Sequence, residues 1–291
     1  MEKWITAILY GFSSGAILFL VSLALSIGYG LMRVVNMEAM LYYSFGAYAT
    51  YVVVSLTGSF ILGAVAAMVI GATLGLIVET QLLRRLYHRN MMFTMVATYS
   101  SFLIGIGIIQ VVWGLQPKPV SSPTSAIINI LGSNIPLYRL IVIFTAIVAY
   151  ILIQNFLNRT ITGRAIRAGV ENRDNVQALG INVNRIFTGT FVLASAFAGL
   201  GGALNAPLIM VGPYMGFDML LLAFITVIVG GLGSVKGTAL SAILIGQVIS
   251  IGGTLWGPLS FVAPFIVMFI VILIKPTGLL GVKGAAYGFE S

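Results

Sequence analysis

Long uncharged stretches constrain this chain more than any other feature of its sequence. Residues 4–31 and 186–204 carry no charged side chain and show no alternation of polar and apolar residues. A helix of about 20 apolar residues crosses the hydrocarbon of a bilayer, whereas a membrane β-strand is an alternating segment of about ten residues. The chain is therefore predicted to be an all-α polytopic membrane protein, with membrane lipid as its surroundings.

The composition excludes a soluble domain and most of the functions that such domains carry. Apolar residues make up 59% of the chain and charged residues 8%, against about 45–50% and about 25% in soluble domains. The net charge of +8 is typical of cytoplasmic loops in a membrane protein and indicates no nucleic-acid partner. With no cysteine, one histidine and seven carboxylates, we expect no metal, no cofactor and no catalytic residues.

About nine transmembrane helices are predicted, within a range of eight to ten, in one transmembrane domain over residues 1–291. The seventh and eighth are short, which indicates a tilted, broken or re-entrant helix. The first is too long for the apolar core of a cleavable signal peptide and is expected to stay in the protein. The predicted spans are 4–31, 39–57, 59–79, 92–113, 137–157, 186–206, 217–232, 238–253 and 258–274.

Basic residues predict the orientation of these spans. Residues 80–91 carry three arginines and residues 158–185 carry five, whereas residues 207–216 carry no basic side chain. Lysine and arginine collect in the cytoplasmic loops of membrane proteins. We therefore expect the N-terminus outside, the C-terminus in the cytoplasm and every basic loop on the cytoplasmic side.

Small residues recur at helical spacing inside the spans. Lipid offers no hydrophobic reward for helix association, so that close backbone approach at small residues must supply the packing. The pattern predicts a tightly packed bundle. The small residues that form this pattern are Gly11 and Gly15, Gly71 and Gly75, and Ser195, Gly199 and Ala203.

Residues 158–185 interrupt the apolar pattern with a charged, helix-like segment. Four charged residues follow steps of three, four and three, and so share one face of a helix. Glycines stand before and after them, as is typical of helix boundaries. Such a helix is either a solvated loop helix or a rigid docking element for a cytoplasmic partner. The candidate residues are Gly163, Arg164, Arg167, Glu171, Asp174 and Gly180.

Three further carboxylates lie at or near the ends of predicted spans, where ionisable groups are costly and often functional. The alternative is an interfacial position beside an arginine, which is Arg33 for Glu38 and Arg84 for Glu79. Asp218 is the third of these acids. None of the three has a neighbouring pattern that indicates catalysis.

The segment VGGLGSVKG, residues 229–237, has a glycine spacing that does not match a phosphate-binding loop. It predicts a tight turn between two membrane helices, and the chain has no nucleotide site of its own.

Four segments resemble one known family. TGRAIRAGVENRDNVQALGI, with the small-residue helix after it, resembles the cytoplasmic-loop signature of the branched-chain amino acid ABC permease family, LivH-type. GLMRVVNMEAMLYYSFGAY, GFDMLLLAFITVIVGGLGSVKG and ILIKPTGLLG resemble three further family motifs in the same order. The resemblance covers most of residues 10–281.

This resemblance implies a permease subunit in the inner membrane of a prokaryotic ABC importer. Its implied partners are a second permease subunit, two cytoplasmic ATP-binding subunits that hydrolyse ATP, and an extracytoplasmic substrate-binding protein. A LivM-like heterodimer is favoured over a homodimer. The helix at 162–180 would couple the ATPases to the membrane. The implied solute is a branched-chain amino acid or a related amino acid, amide or organic acid.

An ion-coupled secondary transporter that works without ATPases is the alternative. Such proteins place ionisable residues deep in the membrane at broken helices, often within inverted repeats. The sequence shows no repeat between its halves, and its acids lie near the predicted span ends. Both observations favour the importer.

The chain departs from the family pattern at one motif. After Asn36 the family usually has Phe-Ala-His-Gly, where this chain has MEAM at 37–40. On a helix Glu38 and Tyr42 share a face, and Asn36 and Tyr43 are turned away from it. We expect these four residues to line the translocation path. The alternative is a cytoplasmic turn, with the tyrosines in an interfacial belt.

Overall fold

The computed structural model describes residues 2–32, 36–86, 91–130, 132–171 and 173–281. Most of them lie in helices, as the uncharged stretches predict. A π-helix, Glu79–Leu83, continues α3 into α4. The helices are α1 (Glu2–Met32), α2 (Ala39–Thr57), α3 (Phe60–Val78), α4 (Arg84–Leu86), α5 (Met91–Trp113), α6 (Leu137–Arg159), α7 (Ile161–Glu171), α8 (Arg173–Ala178), α9 (Val183–Asn205), α10 (Met215–Gly230), α11 (Val235–Leu255) and α12 (Leu259–Ile274).

Within the described residues, seven helical segments are long and apolar enough to cross a membrane, and α10 and α12 are shorter apolar helices of 16 residues each. The all-α membrane fold is thereby confirmed. The prediction of two short spans is right for α10 and wrong for the next span, since α11 has 21 residues. Ser234 caps α11, because its Oγ accepts the N–H of Gly237 at 3.1 Å, and the helix therefore begins before Lys236.

The centre of the bundle is formed by α1, α2 and α9. In the most apolar 18-residue stretch of each of these spans, between 61% and 78% of the residues are buried, against 22–33% in the span-length segments that begin with α3, α5, α6 and α11. The outer helices turn apolar side chains outward, as helices in contact with lipid do.

The predicted small-residue contacts hold this bundle together. A Cβ at Gly71 of α3 would lie 2.6 Å from the carbonyl oxygen of Ser195 on α9. One turn further along α9, Gly199 packs against the backbone of Ala67 and Gly71 on α3 and of Gly46 on α2. The spacing of small residues therefore predicted helix faces that are in contact, and the tight bundle is confirmed.

A short antiparallel hairpin lies between α5 and α6. Its strands are β1 (Ile127–Ile130) and β2 (Ser133–Pro136). Ser133 Oγ donates to the carbonyl oxygen of Glu2 at 3.0 Å, so that the hairpin is fixed to the first residues of α1. An isolated antiparallel bridge between Lys118 and Val211 joins the segment before the hairpin to the loop between α9 and α10. These loops form the end of the bundle opposite to α7 and α8.

Candidate coupling and path sites

The charged segment starts with an abrupt turn at Thr160. This residue has extended backbone, with φ −89° and ψ 156°, between the end of α6 and the start of α7. Its Oγ1 accepts the N–H of Gly163 at 2.9 Å, which is the bond expected of a helix N-cap. The hydroxyl thus begins α7 directly after a span, with no flexible linker between the two helices.

Gly163 is the third residue of α7, so the helix begins two residues before the predicted boundary. The boundary moved because Thr160 provides the cap. Gly163 is buried, and a Cβ there would collide with the carbonyl oxygens of Phe156 and Leu157 at the end of α6. Gly180, with φ 79°, follows the end of α8 as predicted.

One side of α7 is buried and the other is exposed. Gly163, Ile166 and Gly169 face the bundle at steps of three, whereas Arg164 and Arg167 are exposed. The Arg167 guanidinium also donates to the carbonyl oxygen of Leu157, the kind of bond that satisfies the last turn of a helix. Arg167 therefore stabilises the end of α6 in addition to presenting a charge.

The acidic half of the predicted charged face lies outside the described part of the structure. The side chains of Glu171 and Asp174 are not described, and neither is residue 172 between α7 and α8. Their place on the same face as the arginines stays a prediction.

A small apolar cluster attaches the charged segment to the central helix α9. It consists of Val176, Val183 and Phe187, which are at most 5% exposed. A Cβ at Gly169 would lie 3.2 Å from Val183 and 3.4 Å from the Phe187 ring. Movement of α7 and α8 would therefore act directly on the first turns of α9.

A second connection joins the same end of α9 to the end of α3. Arg84 Nη2 lies 3.2 Å from the buried carboxylate of Glu79 and donates to Thr188 Oγ1 at 2.9 Å. The predicted pairing of Glu79 with Arg84 is confirmed, and its interfacial position stays a prediction. Glu79 begins the π-helix, a form that is common at functional sites.

The predicted path residues are all fully buried, and they fall into two groups. Tyr42 donates its hydroxyl proton to Glu38 Oε2 at 3.3 Å, so the shared face of these two residues is confirmed. Asn36 also joins them, because the Glu38 N–H donates to its Oδ1 at 3.0 Å. The prediction that Asn36 is turned away is wrong, since residues 36–38 are not helical. Tyr43 lies elsewhere, bonded to Asn205.

Glu38 lies deep in the bundle. The N–H of the adjacent Met37 donates to Thr98 Oγ1 at 3.4 Å, and Thr98 is the eighth of the 23 residues of α5. The Tyr42 ring meets Phe191, the ninth of the 23 residues of α9. Glu38 directly precedes α2, so the prediction that this acid lies at a span end is confirmed. The alternative of an interfacial tyrosine belt is wrong, because the tyrosines of this segment are fully buried inside the bundle. Arg33, its expected interfacial partner, lies outside the described residues.

Two polar atoms at this position have no hydrogen-bond partner among the described residues. They are Glu38 Oε1, an acceptor, and Asn36 Nδ2, a donor. Buried polar atoms in proteins are nearly always paired. A water molecule or a small polar solute could form hydrogen bonds with both this buried donor and this buried acceptor.

Sequence reasoning missed a polar surface at the start of α10. A Cβ at Gly216 would lie 2.6 Å from Ser44 Oγ and 3.2 Å from the carbonyl oxygen of Met40, so α10 begins inside the bundle. Its first turn carries Asp218, and Tyr214 precedes it. The Gly-Pro pair at 212–213 marks the late start of the helix, but no pattern in the sequence indicates its depth.

Comparison with known proteins agrees with this architecture. A family model described as the permease component of branched-chain amino acid transport systems matches residues 7–274. The BraD permease protein of a high-affinity branched-chain amino acid transport system in Pseudomonas aeruginosa is 24% identical over 93% of this chain and 94% of its own. A probable LivH permease protein of Methanocaldococcus jannaschii is 28% identical over 91% of this chain and 89% of its own.

A probable LivM permease protein of the same organism also matches. It is 28% identical over 49% of this chain and 46% of its own length. The chain is thus similar to LivH over nearly its whole length and to LivM over about half of it.

Proposed function

This chain belongs to the branched-chain amino acid transport permease family, and we propose that it forms one half of a solute path driven by cytoplasmic ATPases. Residues 1–291 act as one transmembrane domain, and residues 158–185 are its coupling loop. ATP hydrolysis takes place in the partner subunits. The chain itself forms half of the solute path, and its coupling loop is moved by the ATPases.

The packing and surface of the coupling loop support this function best. One side of α7 packs on α6 and α9, and the other presents Arg164 and Arg167. Two apolar side chains at the ends of the loop, Ile161 and Leu179, are 76% and 78% exposed. Arginines beside exposed apolar residues are typical of a surface that binds another protein.

Coupling needs a contact between subunits that differs between two conformational states of the transporter. The loop meets this need because α7 has no linker to α6 and because α8 is attached to α9. A push on α7 and α8 therefore shifts a helix that is central to the bundle. Gly163, Glu171, Asp174 and Gly180 complete the coupling site that we propose.

A second permease subunit completes the path. One chain of this size provides one half, and two ATPases need two coupling loops. A LivM-like heterodimer is favoured, because this chain is similar to both LivH and LivM. A homodimer is the other possibility.

The opposite end of the bundle is the proposed docking surface for an extracytoplasmic substrate-binding protein. The hairpin, the start of α1 and the end of α11 surround a groove of about 560 Å³, which is lined in part by Lys3, Ser133 and Thr254. This assignment follows the orientation that the basic loops predict, with the N-terminus outside and the C-terminus in the cytoplasm.

The solute is a branched-chain amino acid or a related amino acid, amide or organic acid. Asn36, Glu38, Tyr42 and Tyr43 lie beside the path and shape it from within the chain, because all four are fully buried here.

One observation favours a different class of transporter. A buried carboxylate beside a non-helical segment is a feature of ion-coupled secondary transporters. Glu38 is such a group. A transporter of that class would work without ATPases.

Reconstitution into liposomes distinguishes the two classes. The chain is purified alone and in complex with its ATP-binding and permease partners, and uptake of L-leucine is measured with and without ATP. We expect uptake only by the complex, with the binding protein present, and only with ATP. Uptake by the chain alone, driven by an ion gradient, would establish the secondary transporter instead.

A further inference from the structure

The first turn of α10 holds an exposed carboxylate deep in the bundle. Asp218 is exposed, and the ring of its neighbour Phe217 lies 5.0 Å from the ring of Phe102 on α5. Phe102 is the twelfth of the 23 residues of α5, which is about 17 Å from each end at 1.5 Å per residue. Asp218 therefore lies near the middle of the membrane thickness that α5 spans.

A row of four aromatic rings runs from the start of α10 to α5, and Phe102 within this row is fully buried. Tyr214 contacts Phe217 at 6.4 Å between ring centroids, and Tyr99 contacts Phe102 at 6.3 Å. The two tyrosines at the ends of this row are 54% and 37% exposed. Tyr214 precedes Asp218 by four residues, one helical turn. We use the term α10 face for Tyr99, Tyr214 and Asp218.

Lipid cannot cover this surface without a large cost. An ionisable group at mid-membrane depth nearly always faces a bundle interior or a watery cavity. Asp218 makes no ion pair within the described ranges of the chain. The α10 face must therefore meet water in the path or a partner subunit.

The chemistry of the face indicates which group it accepts. A carboxylate attracts a cation, and tyrosine rings add attraction for an ammonium group placed over them. An anionic dicarboxylate would be repelled, and a neutral amide or urea would gain nothing from the charge. Among the solutes that the family resemblance allows, only those with a primary ammonium group match this surface.

We propose that the α10 face lines the path and transiently binds the ammonium group of the solute. The site rests on the proposed function, since it needs a path between two permease subunits. The buried Glu38 group then shapes the path from behind, and Asp218 is the carboxylate that the solute touches.

Thiol labelling tests the site on the assembled complex, because the chain has no cysteine of its own. Tyr214→Cys is made in two backgrounds, one that keeps Asp218 and one that carries Asp218→Asn. The reaction rates with a cationic and an anionic methanethiosulfonate reagent are then compared. With Asp218 present, we expect a cationic-to-anionic rate ratio about tenfold higher than with Asn, because one unit charge about 6 Å away in a watery site attracts one reagent and repels the other. Tyr99→Cys is measured in the same way and provides a second position.

A cysteine on the outer side of α12 is the control. Phe269→Cys, at a position that is 63% exposed, should react with neither reagent because lipid covers it. If neither Tyr214→Cys nor Tyr99→Cys reacts in the complex, the partner subunit covers the face and the proposal is wrong. Equal rate ratios with Asp218 and with Asn would also overturn it.

Uptake separates failure of this site from failure of the proposed function. L-leucine uptake by the complex should fall at least fivefold in Asp218→Asn and recover in part in Asp218→Glu, on the same electrostatic grounds. Unchanged uptake in Asp218→Asn would sink the ammonium site and leave the ATP-driven permease intact. A wild-type complex without ATP-driven uptake would instead sink the proposed function, whatever the labelling rates.

Discussion

Arg84 donates a hydrogen bond of 2.9 Å to Thr188, and this bond joins the end of the α3 segment to the first turns of α9. Thr188 also bonds the carbonyl oxygen of Asn184 in its own helix at 2.8 Å. The start of α9 is therefore held from two sides, by α8 and by Arg84.

Thr188→Val should remove the connection between α3 and α9 and leave the helix itself intact. We expect fewer solute molecules transported per ATP hydrolysed, and a loss of about 1 kcal/mol in stability, the size of one partly exposed hydrogen bond. Uptake and ATPase rates of the same liposomes measure the ratio. Thr190→Val is the matched control, because the Thr190 hydroxyl donates to the carbonyl oxygen of Ile186 in its own helix and to no other helix in the described part of the chain. Equal ratios in both variants would contradict a coupling role for this bond.

Gly163→Ala should disrupt the coupling loop, because a Cβ meets the backbone carbonyls at the end of α6 and these cannot move aside. The collision should cost about 1–3 kcal/mol, as overpacking does. We expect the complex to lose transport, or to hydrolyse ATP without transport. Gly189→Ala on α9 is the control, since its Cβ meets no atom within 4 Å. An alanine in open helical surroundings should add stability. Normal transport by Gly163→Ala would show that the close fit has no role in coupling.

Glu38→Gln should change the transport rate more than the apparent affinity. The carboxylate is fully buried and bonds Tyr42, so it cannot contact the solute directly in this conformation. We expect a change of about tenfold in maximal uptake, equivalent to ~1.4 kcal/mol, the size of one hydrogen bond. Tyr42→Phe, which removes the hydroxyl from Glu38 Oε2, should act in the same direction. A strong shift in solute preference would instead place a binding site at Glu38.

Much of the fold follows from the sequence because membrane spans are local features. The uncharged runs predict the helices, and the small residues of α3 and α9 predict a contact that the structure contains. Ser234 shows the limit of this reasoning. Its hydroxyl starts α11 ahead of Lys236, whereas a count of apolar residues places the start at Thr238.

The depth of a polar residue does not follow from its place in the sequence. Glu38 and Asp218 both stand at the ends of apolar runs, which indicates the membrane surface. In the structure each lies at the start of a helix that begins inside the bundle. Contacts with Thr98 and Phe102 of α5 set these heights. Such contacts join residues that are about 60 or more positions apart, and no local pattern contains them.

A contact between α7 and an ATP-binding subunit is the central claim, and site-directed photocross-linking tests it most directly. Ala168→Cys carries a thiol-attached photocrosslinker on the exposed side of α7, and Ile127→Cys carries it on the hairpin at the opposite end. We predict that position 168 cross-links to the ATP-binding subunit in the intact complex, with a yield that changes when ATP binds, and that position 127 does not. Cross-linking to the ATPase from position 127, or none from position 168 in a complex that retains its ATPases, would contradict the account.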